Sequence, residues 1–108
     1  MLFLAKAELN QVPPFTPEKS REIMVQGWEN AINYQKQGKI LAQGAFAGRK
    51  GGCVIWDVDS VEELHSLISQ SPIFPFLDVE IIPLISIENC MENTKRVLDA
   101  KITQKKLM

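Results

Sequence analysis

Apolar and polar residues alternate with a period of two along several stretches, which is typical of β-strands with one covered face. The pattern is clearest in residues 2–9 and 77–84. Residues 39–47, which are small and apolar, and residues 53–58, which are strongly β-prone, also alternate and are joined by the turn Arg49–Gly52, so they are expected to form a hairpin. We therefore predict four strands.

Two segments between these strands place apolar residues every three or four positions, as in amphipathic helices. The first is expected to run from Pro17 to Gln37, because Thr16 is a good N-cap and proline is favoured at the first helical position. The second follows Ser60, which forms a capping box with Glu63, and ends before Pro72. The predicted order of elements is β-α-β-β-α-β.

This order is typical of the ferredoxin-like fold, an α+β fold in which two helices cover one face of a four-stranded antiparallel sheet. The other face is left open and is expected to carry six apolar side chains: Leu2, Leu4, Cys53, Ile55, Ile82 and Leu84. So large an apolar surface is unfavourable in water. We therefore predict a homo-oligomer, at least a dimer.

The end of the chain has a separate, weaker helical pattern over residues 88–101. Five basic and three acidic side chains follow Ser86, whereas residues 1–85 carry a net charge of −3. We predict one domain over residues 1–87 and a helical tail over residues 88–108 that docks on a neighbouring subunit.

Composition excludes several classes of function. The net charge of −1 over 108 residues gives no positive field for nucleic acid or an anionic membrane. No apolar run approaches the roughly 20 residues that span a bilayer, and we predict a cytoplasmic protein. Two cysteines, Cys53 and Cys90, do not suggest a disulfide framework, and no His and Cys spacing suggests a metal site.

Three stretches resemble the muconolactone delta-isomerase family: residues 1–6 (MLFLAK), residues 56–65 (WDVDSVEELH) and residues 71–84 (SPIFPFLDVEIIPL). The likeness extends over about residues 1–87 and leaves the tail outside. It implies a dimeric α+β barrel that assembles into larger rings. It also implies an enzyme that shifts a double bond in a small unsaturated lactone acid without a metal or organic cofactor.

The chain departs from the family pattern in the second strand and the turn after it. The family usually has Trp and Arg there, with Tyr and Asn just after the turn, whereas this chain has Ala42, Gly44 and Ala45. The family's Glu-Lys-Ala step in the first helix is matched only by Glu29–Ala31. We expect a roomier, less polar pocket and a substrate other than muconolactone.

Three residues are candidates for proton transfer. His65 is the only histidine, and histidine is the residue type suited to moving protons near neutrality, although His65 also fits a helix surface or an interface. Glu29 follows Trp28 near the face expected to meet the sheet, where desolvation would make it a base, but most helical glutamates are solvated. Lys6 matches a basic position of the family and could hold a carboxylate, or it pairs with Glu80 on the last strand.

Five further residues are candidates for substrate binding. The aromatic side chains are expected to line a pocket for an unsaturated or cyclic ligand, or else to belong to the core: Trp28, Tyr34, Phe46 and Trp56. Arg49, in the turn, is exposed or serves as an anion clamp at the pocket mouth.

These residues leave functions of different classes open. The first is a cofactor-independent isomerase or cyclase-type enzyme that uses acid-base proton transfer on an unsaturated carbonyl or lactone-like ligand. The second is a catalytically silent oligomeric ligand-binding protein of the same fold. A cofactor-free monooxygenase is permitted by the fold alone.

Overall fold

The computed structural model describes residues 1–107, with side chains described for residues 1–103. A one-turn 3-10 helix, Phe74–Phe76, precedes the last strand. The other elements are β1 (Leu2–Leu9), α1 (Pro17–Lys36), β2 (Ile40–Ala45), β3 (Gly51–Asp57), α2 (Val61–Ser69), β4 (Leu77–Leu84) and α3 (Ile87–Leu107).

The four strands form one sheet in the order β2-β3-β1-β4, and each neighbouring pair is antiparallel. Helices α1 and α2 both pack on the face that carries Phe3, Ala5 and Trp56. The ferredoxin-like α+β prediction is confirmed. The sheet of the single chain is open and does not close into a barrel.

Strand pairing fixes which side chains share the uncovered face. Leu4 lies between Ile55 on β3 and Ile82 on β4, and all three are half-buried. On the same face Lys6 is opposite Glu80 and Glu8 is opposite Asp78, as the alternation predicts. The open face is therefore apolar at one end of β1 and charged at the other.

Several boundaries differ from those expected, among them the start of β3 and the extent of α3. β3 begins at Gly51, because Gly51 and Gly52 pair with Glu8 and Ala7 on β1 as part of the ladder. A glycine pair that indicates a turn also suits a strand at a point where another backbone approaches closely. α3 extends beyond residues 88–101, and the Ser86 hydroxyl caps it by accepting from the Asn89 backbone N–H at 3.1 Å.

The fully buried core is small and lies at one end of the sheet. Phe3, Trp56 and Ile40 are neighbours across β1, β3 and β2, and Leu64 of α2 covers them. No residue of α1 is fully buried. The first helix therefore rests on the sheet without closing tightly over it.

α3 projects from this body. Every described residue of α3 is exposed, and the molecule measures 72 Å by 28 Å by 25 Å. The radius of gyration is 19.6 Å, against roughly 13 Å for a compact chain of this length. The body and α3 are therefore distinct parts of the molecule.

Candidate active site

Helix α1 is fastened to the body near its two ends. Phe15, just before the helix, packs edge to face with Phe76, with the ring centroids 6.2 Å apart. Near the C-terminus of the helix, the Tyr34 ring lies 5.7 Å from that of Trp56. Between these ends no residue of α1 is fully buried, and space remains between the helix and the sheet.

A cavity of about 580 Å³ lies in this space. Its floor is made by small residues because Ala7, Gly52 and Ala45 are paired neighbours on β1, β3 and β2. Trp28 and Ile32 of α1 form the opposite wall. No charged side chain is among the described residues that line this cavity. Its size and lining suit an apolar small molecule.

A second cavity of about 460 Å³ lies between α1 and the end of α2. Its lining is more polar and includes Lys19, Glu22, Gln26, Asn30, Tyr34 and Gln70. The Lys19 ammonium lies 3.6 Å from a Glu22 carboxylate oxygen. Four residues line both cavities: Gly27, Ala31, Trp56 and Ser71. We call the two adjoining cavities the α1 cleft.

Sequence reasoning missed the polar rim of the α1 cleft. Lys19, Glu22, Gln26 and Asn30 recur every three or four positions, so they form a row along one side of the helix. That polar row runs beside the apolar stripe of α1, and this spacing is the sequence pattern that predicts a polar rim. The position of Gln70 depends on how α2 ends and has no comparable signal in the sequence.

Three of the five predicted binding residues line the α1 cleft. Trp56 is buried, Tyr34 is half-buried and Trp28 is 55% exposed. Phe46 and Arg49 are not among the described lining residues, and the Arg49 guanidinium lies 5.3 Å from the centre of the Phe46 ring.

Arg49 has an acidic partner within the chain, because its guanidinium donates to a carboxylate oxygen of Glu8. This hydrogen bond, together with the negative charge of Glu8, raises the pKa of Arg49 above its ordinary value. The arginine is protonated at any physiological pH.

The three predicted catalytic residues do not meet in one cavity of the single chain. His65 is exposed on α2, with its ring edge to face with Phe74 at 6.0 Å. Glu29 is exposed on α1, so the expected desolvation is absent. Lys6 lies on the open face of the sheet, its ammonium 3.9 Å from a Glu80 carboxylate oxygen. None of the three is among the described residues that line the α1 cleft.

The described residues include no cluster of three His, Cys, Asp or Glu side chains placed to hold a metal ion. In the same part of the chain, no helix combines the length and the apolar character that crossing a membrane requires.

Fold and cleft together define a ferredoxin-like α+β protein with a pocket of small-molecule size. Residues 1–89 match the family model for muconolactone delta-isomerase. The chain therefore belongs to the muconolactone delta-isomerase family. Membership of this family indicates isomerase-type activity on a small molecule.

Individual relatives agree with this assignment. The chain is 28% identical to the muconolactone delta-isomerase of Pseudomonas aeruginosa over 75% of this chain and 84% of the relative. It is 29% identical to that of Cupriavidus pinatubonensis over 78% of this chain and 91% of the relative. A crystal structure of muconolactone isomerase superposes with a TM-score of 0.70 at 30% identity, over 80% of this chain and 90% of that one.

Proposed function

We propose that this protein is a cofactor-independent isomerase or cyclase-type enzyme whose substrate is an unsaturated lactone or carbonyl compound bound in the α1 cleft. The observation that carries the proposal is the division of the cleft. An uncharged floor of small residues adjoins a rim that holds Lys19 and Glu22. Such a site can hold the apolar part of a substrate while ionisable groups reach its carbonyl end.

The chemistry assigned to this site is proton transfer. A base removes a proton made acidic by an adjacent carbonyl, donors hold the resulting dienolate, and the proton returns at another carbon. We assign the role of base to the Glu22 carboxylate and the stabilising positive charge to the Lys19 ammonium. These are the acidic and the basic side chain among the described residues that line the cleft. The side-chain amides of Gln26 and Asn30 on the same rim are further donors.

The proposed substrate is less polar than muconolactone. A carboxylate placed on the floor of the α1 cleft would meet Ala7, Ala45 and Gly52 and lose its hydration without a charged partner. An uncharged group of the same size loses far less. We therefore expect a bulkier or uncharged unsaturated lactone or carbonyl compound.

Muconolactone and its methyl ester test this assignment, since the ester replaces the charged carboxylate by an uncharged group that is one methyl larger. We expect kcat/KM for the ester to exceed that for the free acid by roughly tenfold or more. Formation of the isomerised lactone is followed by ultraviolet absorbance and NMR. Faster turnover of the free acid would contradict the proposed substrate class and leave the isomerase assignment standing. No turnover of either compound would contradict both.

Substitutions of two glutamates in α1 test which of them is the catalytic base: Glu22, proposed from the structure, or Glu29, proposed from the sequence. Glu22 lines the α1 cleft and Glu29 does not. Glu22→Gln is expected to lower kcat by on the order of a hundredfold, while Glu29→Gln and His65→Ala keep most of the activity. The reverse outcome would favour Glu29 or His65, reached through another subunit, as the base.

A catalytically silent ligand-binding protein is the second candidate. The observation in its favour is that His65, Glu29 and Lys6 all lie outside the α1 cleft. Trp28 and Trp56 line the cleft, so their fluorescence should report binding of the methyl ester. Binding of the ester with neither isomerisation nor deuterium incorporation in heavy water would support the silent protein and contradict the enzyme.

We also propose that the protein is a homo-oligomer in which a second subunit covers the open face of the sheet, and that it is cytoplasmic. The apolar row of Leu4, Ile55 and Ile82 supports the homo-oligomer. Two unbonded cysteines, of which Cys90 is exposed, support the cytoplasmic location, because reducing compartments keep thiols free. Light scattering at micromolar concentration that shows only a 12.2 kDa species would contradict the homo-oligomer.

A further inference from the structure

Helix α3 carries an apolar stripe that no described part of the chain covers. Met91 is 49% exposed and Leu98 is 55% exposed. Most of the helix lies beyond residue 89, where the match to the family model ends. The stripe consists of Ile87, Cys90, Met91, Thr94, Val97, Leu98 and Ile102. The match to the family therefore covers little of this stripe.

We propose that α3 pairs antiparallel with α3 of a second copy of this chain. The stripe has the seven-residue repeat of a two-stranded coiled coil, in which Ile87 and Thr94 share one seam position and Met91 and Leu98 share the other. Side chains spaced in this way interlock with the same side chains of an identical helix. This contact is separate from the open sheet face and does not depend on the proposed activity.

The next seam residue, Lys101, decides the direction of the pair. A parallel pair in register places the two Lys101 ammonium groups against each other within the seam. An antiparallel pair can place Ile87 against Leu98 of the partner subunit and Met91 against Thr94 of the partner subunit. Lys101 then lies beyond the paired segment, residues 87–98.

Charges beside the seam favour the same arrangement. Glu88 and Lys95 are seven residues apart and lie on the same flank of the stripe. In the antiparallel register, each Glu88 lies next to Lys95 of the partner subunit, which gives two intermolecular ion pairs.

The exposed thiol of Cys90 allows a direct test. Cys90 and Val97 flank the seam on the same side, so the antiparallel pair brings Cys90 close to Val97 of the partner subunit. Within one helix these positions are separated by about 10.5 Å along the axis, too far for a disulfide. Any bond between Cys90 and a cysteine at position 97 is therefore intermolecular.

The experiment uses the full-length chain with Cys53→Ser and Val97→Cys under mild oxidation. We expect a covalent dimer in which mass spectrometry finds Cys90 bonded to the introduced cysteine at position 97. The matched control carries Arg96→Cys, because position 96 lies on the opposite side of the helix from the seam, and it should give little dimer. Equal yields from the two variants, or a dominant bond between two Cys90 residues, would overturn the proposal.

Exchanging the charges beside the seam provides a second test, again measured as crosslink yield. If only the sheet face held the dimer, these charge changes would not alter the yield. Lys95→Glu places like charges beside each Glu88, so we expect it to lower the yield of the crosslink between Cys90 and position 97 severalfold. Adding Glu88→Lys to Lys95→Glu restores opposite charges and should restore the yield. Equal yields in the single and double charge variants would contradict the antiparallel register.

Discussion

The helix-covered face of the sheet is filled at one end and hollow at the other. At the filled end, Phe3, Trp56 and Ile40 lie side by side across β1, β3 and β2, and all are buried. At the hollow end, four residues further along β1, the corresponding row is Ala7, Gly52 and Ala45.

The two rows lie on the same strands, about 13 Å apart along β1. They differ in the volume of their side chains, and α1 passes over the smaller ones at a distance that leaves the α1 cleft. Protein interiors are otherwise closely packed, so the large side chains of the filled end contribute most of the packing that stabilises the fold. The small residues leave the space that forms the α1 cleft.

Leu64→Ala should have the largest effect, because Leu64 is fully buried against the filled end. We expect it to lower the free energy of unfolding by about 3 kcal/mol, from lost apolar burial and the cavity that remains. Ile32→Ala, in the wall of the α1 cleft, is the control and should cost less than about 1 kcal/mol because Ile32 is 51% exposed. Urea denaturation measures both, and equal costs would show that the two ends are packed alike.

Gly52→Ala should have the next largest effect and tests the floor of the hollow end. A Cβ at Gly52 would lie 2.6 Å from the backbone oxygen of Gly44, which cannot move without disturbing the pairing of β2 and β3. We expect a loss of about 1–3 kcal/mol in the free energy of unfolding. A loss below about 0.5 kcal/mol in urea denaturation would mean that the hairpin yields easily.

Gly27→Ala, in the opposite wall of the α1 cleft, should have the opposite sign. Nothing lies within 4 Å of a Cβ built at Gly27, and alanine is the better helix former. The free energy of unfolding should rise by about 0.5–1 kcal/mol. Destabilisation in the same urea experiment would mean that α1 lies closer to the sheet than the structure shows.

Arg49→Gln should have the smallest effect. Arg49 and its partner Glu8 are solvent-accessible, with Glu8 on the uncovered face of the sheet, and exposed ion pairs contribute little to stability. The hydrogen bond and negative charge of Glu8 raise the pKa of Arg49, so any stabilisation from its protonated guanidinium is lost only as the pH rises through that pKa, far above neutrality. The difference in melting temperature between variant and wild type should therefore be small and constant from about pH 6 to pH 9. A difference that grows within that range would contradict this account.

Much of the filled end could be predicted from the sequence. Alternation alone gives the observed bounds of β1 and β4, and the cap at Thr16 gives the start of α1. Gly51 and Gly52 were assigned to a turn because glycine suits both a turn and a crowded strand, and sequence alone does not separate the two.

The hollow end was harder to predict. The small residues of β2 indicated a roomy pocket, but its shape depends on the pairing of Ala7, Gly52 and Ala45 on three strands and on the height of α1. Side-chain chemistry and family resemblance select catalytic candidates from the sequence, but neither determines how a helix is rotated about its axis. Glu29 is expected near the face that meets the sheet, but it is exposed outside the α1 cleft, whereas Glu22 lines the cleft.

The central claim, that the hollow end is the substrate site, is tested most directly by filling it. Ala45 lines the α1 cleft on an edge strand, whereas Ala47 is exposed outside it. With muconolactone methyl ester as substrate, we predict that Ala45→Phe lowers kcat/KM by roughly tenfold or more and that Ala47→Phe changes it by less than about twofold. Circular dichroism should show that both variants are folded. Unchanged turnover by a folded Ala45→Phe variant would contradict the claim.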